Sequence, residues 1–287
     1  MTPSLSVIVA HKGGVQPLRI ALDSMRAVNL GIPDVEVIVV ETLCRGVYSF
    51  DAASAGVRHP SWDYVHVRIP RPPRIRGSPG LSWNVGVACA SAPLVFITHS
   101  DVIHCGPLFE AALKLAPEHD WINFACLSVQ APPPAVVDHA SLMQWSGGHI
   151  YGKRELCWTT TNWYVHSNGQ RMVQYASAMT PEVFTEAGGF DFRFDDCYGC
   201  EDADFFDRMT FMAKISPVCD SPFVAHLNHE RPSGLKDGRV LLDQQRAVER
   251  LRQQRELRKI EYRDASGVVI PDCGAWKFTD VVDAPRP

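Results

Sequence analysis

The sequence predicts an α/β fold in which a mostly parallel central sheet is flanked by helices. Short apolar runs with many β-branched residues are typical of buried strands. Four such runs lie at residues 5–10, 35–40, 64–69 and 94–98. Segments with apolar residues at helical spacing alternate with them, at residues 15–25, 81–90 and 107–115. Strands that alternate with helices form parallel βαβ units within one sheet.

The second half of the chain is predicted to be less regular. Three consecutive prolines at 132–134 break the chain, and residues 141–175 are rich in tryptophan, tyrosine and glycine. These aromatic side chains would either stack on sugar rings or form the core of an irregular subdomain, and both interpretations stay open. Beyond them we expect a short helix at 181–187, with proline in its first turn, and a strand at 223–226.

A long polar helix is predicted at residues 241–260. Its apolar stripe consists of Leu241, Val248, Leu251 and Leu257. Such a stripe covers another apolar surface. Two interpretations remain, packing on the same domain or a homodimer contact. The last residues, 264–287, are expected to form a surface tail.

Composition excludes several classes of protein. The 287 residues are 46% hydrophobic, which supports a substantial core, and a net charge of -4 gives no attraction to nucleic acid. No apolar run is long enough for a transmembrane segment, and residues 1–4 lack the basic start of a signal peptide. We therefore expect a cytoplasmic protein. Nine cysteines, an odd number, indicate reduced thiols, and Cys197 and Cys200 fit loop packing better than a zinc site.

Polar residues follow three of the predicted strands. His11 follows the first strand, Glu41 follows the second, and His99, Ser100 and Asp101 follow the fourth. The carboxyl ends of parallel strands meet at one edge of a sheet, where ligands bind in folds of this class. A carboxylate there can bind a divalent cation, and the cation can neutralise a diphosphate.

Two histidines three residues apart follow the last predicted strand. Together with one carboxylate, His226 and His229 would form a mixed nitrogen and oxygen site suited to Mn²⁺ or a similar transition ion. The spacing excludes a metalloprotease, because Glu230 follows both histidines. The competing interpretation is a pair of surface or capping histidines.

An acidic segment follows a glycine-rich loop. Gly188 and Gly189 precede Glu201, Asp202 and Asp204, which are predicted to occupy the first turn of a helix. The helix dipole favours negative charge at that end. Either this is an ordinary helix start, or the loop presents Asp202 as a proton acceptor at a pocket wall.

Five segments, taken in order, resemble glycosyltransferases of the GT-A fold, most closely the large inverting family that includes bacterial sugar transferases. These segments are 6–10, 35–41, 80–86, 94–101, and 188–191 together with 199–204. The last one, with Arg208, also resembles the β-1,4-galactosyltransferases. The resemblance covers about residues 4–230. It departs from the family at His99, which replaces the first aspartate of the D-x-D motif, and at 42–44, where Thr-Leu-Cys replaces Asp-Gly-Ser.

The resemblance implies a role for each matching residue. Asp101, His226 and His229 would bind a divalent metal, with Mn²⁺ expected and Mg²⁺ as the other candidate. The nucleotide-sugar would contact residues Ala10, His11, Glu41, Asn84, His99, Ser100 and Asp101. Among these, Glu41 would lie at the nucleoside. Asp202 would act as general base, with Glu201 beside it.

The expected function is metal-dependent transfer of a sugar from a nucleotide-sugar donor, a UDP-sugar, to a hydroxyl of a glycan, peptide or small-molecule acceptor, with inversion. The catalytic domain would span 1–230, divided into a donor half, 1–127, and an acceptor half, 128–230. Residues 231–287 would form a separate helix and tail. Three alternatives stay open: a retaining transferase, a nucleotidyltransferase that makes sugar nucleotides, and a non-catalytic carbohydrate-binding relative.

Overall fold

A computed structural model describes residues 2–12, 14–42, 50–56, 58–69, 79–129, 163–165, 175–194, 199–227 and 245–254. The strands are β1 Leu5–His11, β2 Val35–Thr42, β3 Trp62–Ile69, β4 Val95–His99, β5 Val102–Cys105, β6 Trp121–Val129, β7 Trp163–Val165, β8 Ala176–Met179 and β9 Cys219–Leu227. The helices are α1 Val15–Val28, α2 Phe50–Ser54, α3 Pro79–Cys89, α4 Leu108–Leu115, α5 Pro181–Glu186, α6 Glu201–Met212 and α7, residues 245–254.

These strands form one sheet in the order β3-β2-β1-β4-β8-β6-β9-β5, and β7 pairs with β6. The first four strands of this order are parallel to one another. Strand β8 runs antiparallel between β4 and β6, so that β6 and β9 point in the same direction as β4. The predicted α/β fold with a mostly parallel sheet and flanking helices is therefore confirmed.

The predicted strands and helices of the first half agree with the structure to within a few residues. The sequence analysis missed α2 and the strands β5, β6, β7 and β8. Strand β8 is built from the sequence Ala-Ser-Ala-Met, whose small residues have little preference for strands. It forms because both of its edges are paired by neighbouring strands.

Two apolar layers cover the two faces of the sheet. Because side chains alternate along a strand, Val7 and Val9 of β1 face α1 and α4, whereas Ile8 and Ala10 face α3, α5 and α6. The second layer holds α6, which carries the acidic residues, against the sheet. No helix among the described residues is long and apolar enough to cross a membrane.

The apolar face predicted for the C-terminal helix is partly wrong. Val248 is 59% exposed, while Ala247 and Leu251 pack against Phe194. The buried pair is spaced by four residues, as expected of neighbours on one helix face. Leu241 and Leu257 lie outside the described residues. The helix therefore packs on its own chain by a face shifted away from Val248.

Helix α3 approaches the sheet unusually closely at Gly86. A Cβ atom there would lie 2.1 Å from Cγ2 of Ile8 and 3.2 Å from Cγ2 of Val40. Such distances leave no room for a methyl group, because interiors are close-packed.

We expect Gly86→Ala to lower the free energy of unfolding by about 1–3 kcal/mol, the usual cost of overpacking a core. Gly31→Ala is the matched control, since no heavy atom lies within 4 Å of the added Cβ. Urea denaturation of both variants measures the difference. Equal stability of the two would contradict the close approach of α3 to β1.

His104 of β5 is fully buried between the rings of Phe96 and Phe109, at centroid distances of 5.7 Å and 5.5 Å. Neither of its ring nitrogens has a hydrogen-bond partner within the part of the chain that the structure describes. Burial lowers the pKa of His104 to about 3. The side chain is therefore neutral at pH 7.

His104 makes the folded protein sensitive to acid. Because its pKa is lower in the folded than in the unfolded state, the unfolded chain binds the proton first, and stability falls as pH drops from 6.5 towards 3. We expect His104→Phe to reduce the loss of unfolding free energy between pH 7 and pH 5 by about 2 kcal/mol. Urea unfolding at both pH values measures it, and an unchanged loss would show that His104 does not drive it.

Candidate active site

Three strand ends converge at one edge of the sheet, as predicted. In the parallel register, Ala10 lies opposite His99, and His11 lies opposite Glu41. The backbone N–H of Ser100 donates to the carbonyl of Ala10 at 3.1 Å, which continues the β1–β4 contact past the end of the strand. The candidate donor-binding residues of the first half are thus neighbours.

Glu41 is a buried carboxylate held by several donors. Its Oε2 accepts hydrogen bonds from Nε2 of His66 at 2.8 Å and from the backbone N–H of Phe50 at 3.3 Å. Its Oε1 lies 3.6 Å from Nε2 of His11. Sequence reasoning missed His66, although a histidine within β3, next to the strand that ends near Glu41, was a usable signal.

His11 is neutral in this setting. Burial lowers the pKa of His11 to about 4, even though the negative charges of Glu41 and Asp101 act to raise it. At pH 7 the imidazole is therefore a polar hydrogen-bonding group and carries no charge. Its contact with Glu41 is then a close polar contact and not a salt bridge.

Asp101 and His226 are brought together by antiparallel pairing. Val102 of β5 lies opposite His226 of β9, so Asp101, one residue before β5, approaches the histidine. Oδ2 of Asp101 and Nε2 of His226 are 3.4 Å apart, and the side chains are 23% and 14% exposed. These are two of the three predicted metal ligands.

The third predicted ligand, His229, lies outside the described residues. Within the described ranges, no group of three or more His, Cys, Asp or Glu side chains could hold a metal ion. The structure therefore presents a pair of candidate ligands, one directly before β5 and one on the adjacent strand β9. Cys197 also lies outside the described residues, whereas Cys200 lies directly before α6.

Tyr175 lies at this edge and contacts both His99, a predicted donor-binding residue, and His226, a predicted metal ligand. Its ring lies between those of His99 and His226, at centroid distances of 5.6 Å and 5.0 Å. The sequence analysis did not single out Tyr175. A tyrosine just before a weak strand gives no local signal, and its importance depends on where β8 inserts into the sheet.

A chain of aromatic rings leads from this edge to the acidic helix. Trp83 of α3 packs edge-on against His99 at 4.6 Å and contacts Phe190 at 4.8 Å. Phe190 in turn stacks on Phe205 of α6 at 4.3 Å. The indole N–H of Trp83 donates to the carbonyl of Thr98 at 2.9 Å, which fixes the tryptophan to β4.

Asn84 holds the loop that leads to the acidic helix. Its Nδ2 donates to the carbonyl of Phe190, and its Oδ1 accepts from the N–H of Phe190, both at 2.8 Å. The residue is only 1% exposed. Asn84 was expected to contact the nucleotide-sugar. With its amide engaged in this way, its role in the structure is to position Phe190.

Glycine is required where the loop meets Asn84. Gly189 has φ +61°, and a Cβ atom on it would lie 2.7 Å from Oδ1 of Asn84. Gly188 also has positive φ, 78°. Two consecutive residues with left-handed backbone suit glycine, which has no Cβ to clash. The loop therefore reverses direction tightly beneath α3.

The acidic residues occupy the first turn of α6, as predicted. Glu201, Asp202 and Asp204 all lie there. Asp204 is buried and pairs with the buried guanidinium of Arg208, whose Nη2 lies 2.9 Å from Oδ2. Arg208 also donates to the carbonyl of Ala187. The hydrogen bond to Ala187 joins α6 to the end of α5, and the ion pair with Asp204 holds Arg208 in place for it, so Asp204 serves the fold.

Glu201 and Asp202 are partly exposed, in contrast to Asp204. Oδ1 of Asp202 accepts a hydrogen bond from the N–H of Ala203 at 2.8 Å. Of the three carboxylates in this turn, the structure thus leaves two at the surface, and they are the two predicted to take part in catalysis.

Comparisons with known proteins identify the fold. No protein-family model and no curated protein matches the sequence. Among solved structures, S. aureus TarS 1-349 in complex with UDP-GlcNAc is 16% identical with a TM-score of 0.55, over 80% of this chain and 60% of that one. The mannosyltransferase PcManGT from Pyrobaculum calidifontis, in complex with GDP-Man and Mn²⁺, is 16% identical with a TM-score of 0.51, over 82% and 60%.

A further structure of S. aureus TarS is 15% identical with a TM-score of 0.53, and the match covers 78% of this chain and 37% of that one. The chain therefore spans less than two thirds of the length of the structures to which it is similar. At these identities the likeness concerns the fold. The chain has the α/β fold of the GT-A glycosyltransferases.

Proposed function

We propose that this chain is a glycosyltransferase that moves a sugar from a nucleotide-sugar donor to an acceptor hydroxyl. The observation that carries the proposal is the side-chain contact between Asp101 and His226. It lies at the sheet edge where the strands that carry His11 and Glu41 also end. Ligands of folds of this class bind at this edge. The crystallised complexes of TarS with UDP-GlcNAc and of PcManGT with GDP-Man support the same class of donor.

The candidate ligands fit a transition metal. A carboxylate oxygen and an imidazole nitrogen, 3.4 Å apart and both reachable by solvent, form a mixed donor pair. Mn²⁺ takes carboxylate oxygens, as Mg²⁺ does, but as a first-row transition ion it also binds nitrogen ligands, whereas Mg²⁺ prefers oxygen alone. We propose Mn²⁺, held by Asp101, His226 and His229. When bound, the ion would neutralise charge on the diphosphate that leaves the sugar.

The donor would lie along the ends of β1, β2 and β4. Glu41 and the neutral His11 would border the nucleoside, and Ala10, His99 and Ser100 the ribose and diphosphate. We propose a UDP-sugar as the donor. Asn84 enters this proposal only as the residue that positions Phe190.

Asp202 would act as the general base of a direct displacement. The acceptor hydroxyl would attack the anomeric carbon from the face opposite the diphosphate, so that the product has inverted configuration. The new carbon–oxygen bond forms as the bond to the phosphate oxygen breaks. The diphosphate leaves with the electron pair, and Asp202 takes the hydroxyl proton. Glu201 would bind the acceptor beside it.

The acceptor is proposed to be a hydroxyl of a glycan, a peptide or a small molecule. The division into a catalytic domain, 1–230, and a C-terminal region, 231–287, stays a prediction, as do the homodimer through the C-terminal helix and the cytoplasmic location.

A panel of UDP-linked and GDP-linked sugars, with and without Mn²⁺, tests the proposed donor and metal. A cognate donor that binds only the folded state at about 100 times its Kd stabilises it by about 2.7 kcal/mol, so we expect a rise in Tm that requires Mn²⁺. Asp101→Asn should lose this dependence, whereas the exposed Asp63→Asn should keep it. No shift with any sugar nucleotide would contradict the proposal.

Asp202→Asn should abolish sugar transfer and leave donor binding intact, because the amide keeps the shape of the side chain but cannot accept the proton. We expect a loss of at least about 10²-fold in kcat, measured by nucleoside diphosphate release with acceptor present. Asp207→Asn, on another face of the same helix, is the matched control. Full transfer by Asp202→Asn would remove its assignment as the base.

A further inference from the structure

We propose that the C-terminal helix α7 positions the acidic helix α6, so that Gln254 is a positioning residue for transfer although it lies outside the predicted catalytic domain. This inference rests on the proposed function, because it concerns the placement of Asp202. The proposal depends on the contacts of α7 with Asp191 and Phe194, which we name the α7 contact.

The polar half of the α7 contact is centred on Asp191. Nε2 of Gln254 donates to Oδ2 of Asp191 at 2.6 Å. Arg193 donates from its backbone N–H and from its guanidinium to the same carboxylate, at 2.8 Å and 2.9 Å for the bonds to Oδ1. The side chain of Asp191 is 1% exposed. A buried carboxylate needs several donors, and α7 supplies one of them.

The direction of the pKa shift of Asp191 agrees with these hydrogen bonds. Burial acts to raise the pKa of Asp191, but the hydrogen bonds and charge of Arg193 and the hydrogen bond from Gln254 outweigh it, so the pKa of Asp191 is lowered. The carboxylate is therefore charged at neutral pH and attracts both donors. Asp191 directly follows Phe190, which Asn84 holds on the other side.

The apolar half of the α7 contact is centred on Phe194. This side chain is fully buried, in a cluster with Ala247 and Leu251 of α7. The guanidinium carbon of Arg250 lies 5.8 Å from the centre of its ring. Phe194 thus fills the space between α7 and the start of α6.

The same cluster reaches the residues beside the proposed base. Cys200 and Ala203 pack against it. Cys200 precedes α6 with left-handed backbone, φ 74°, and Ala203 follows Asp202 in the chain. The start of α6 is therefore supported on the sheet side by Phe190, which stacks on Phe205 of the helix, and on the other side by the α7 contact.

The outer face of α7 is satisfied locally. Arg252 and Gln253 both bond to Glu249 on the same helix. Among the described residues, Ala247, Leu251 and Gln254 of the inner face contact the segment from Asp191 to Phe194 or pack beside it. Loss of the Gln254 hydrogen bond should therefore loosen residues 191–194 and the first turn of α6 without disturbing α7 itself.

Gln254→Leu tests the proposal, since it keeps the size of the side chain and removes its donor. Misplacing a reacting group by about 1 Å costs up to about 10²-fold in rate, so we expect kcat to fall by about 10-fold to 10²-fold while the donor KM stays within twofold. Gln254→Lys restores a donor and should restore much of kcat. Gln253→Leu is the matched control and should leave kcat unchanged.

Hydrogen exchange of residues 199–208 gives a second readout that does not depend on activity. We expect faster exchange in Gln254→Leu and wild-type exchange in Gln253→Leu. Unchanged exchange, or faster exchange with unchanged kcat, would overturn the positioning role. If Gln254→Leu fails to fold, Gln254→Asn, with a shorter side chain, replaces it in both measurements.

The two proposals can fail separately. If the wild-type chain transfers no sugar from any nucleotide donor, the proposed function fails, and the exchange measurement still decides whether α7 holds α6. If wild-type transfer is normal and the Gln254 variants behave like wild type in both readouts, only the positioning role fails.

Discussion

The placement of the acidic helix depends on the pair of hydrogen bonds between the side chain of Asn84 and the backbone of Phe190. A buried side-chain amide destabilises the folded state unless both its donor and its acceptor are paired. The carbonyl and the N–H of Phe190 pair them here. Because Gly189 has no Cβ atom, its backbone can lie beside the amide oxygen, where a Cβ atom would be only 2.7 Å away. The ring of Phe190 is thereby held between Trp83 and Phe205. Helix α3 in turn packs closely on the sheet at Gly86. The position of the first turn of α6 therefore depends on the strands, through α3 and Phe190.

Buried carboxylates add a second constraint. Glu41, Asp191 and Asp204 are each withdrawn from water and held by hydrogen-bond donors of other side chains. Breaking such a contact leaves an unpaired buried charge, at a cost of about 3–5 kcal/mol, so these residues fix local geometry. Asp101 and Asp202 differ, because solvent can reach them. These five carboxylates thus differ in burial, and the three buried ones hold the local geometry of the fold.

Sequence reasoning located the strand ends well, because the rule that parallel strands end at one edge needs only the order of strands and helices. It found His11, Glu41 and His99 in this way. It did not find His66 or Tyr175, since their importance comes from register and from the insertion of β8, which no local pattern announces. It also assigned Asn84 to the ligand, because a polar residue in a helix near a strand end does not reveal which backbone it will meet.

By itself, the sequence determined the alternation of strands and helices, the acidic first turn of α6 and the glycines that lead to it. Those features follow from the period of apolar residues and from backbone preferences within a few residues. Only the tertiary structure decided which carboxylates form buried ion pairs, which face of α7 is buried, and which backbone groups Asn84 binds. Asn84 and Phe190 are 106 residues apart, and Gln254 and Asp191 are 63 apart. Contacts over such separations arise from packing the whole sheet with its helices, and the local sequence contains no information about them.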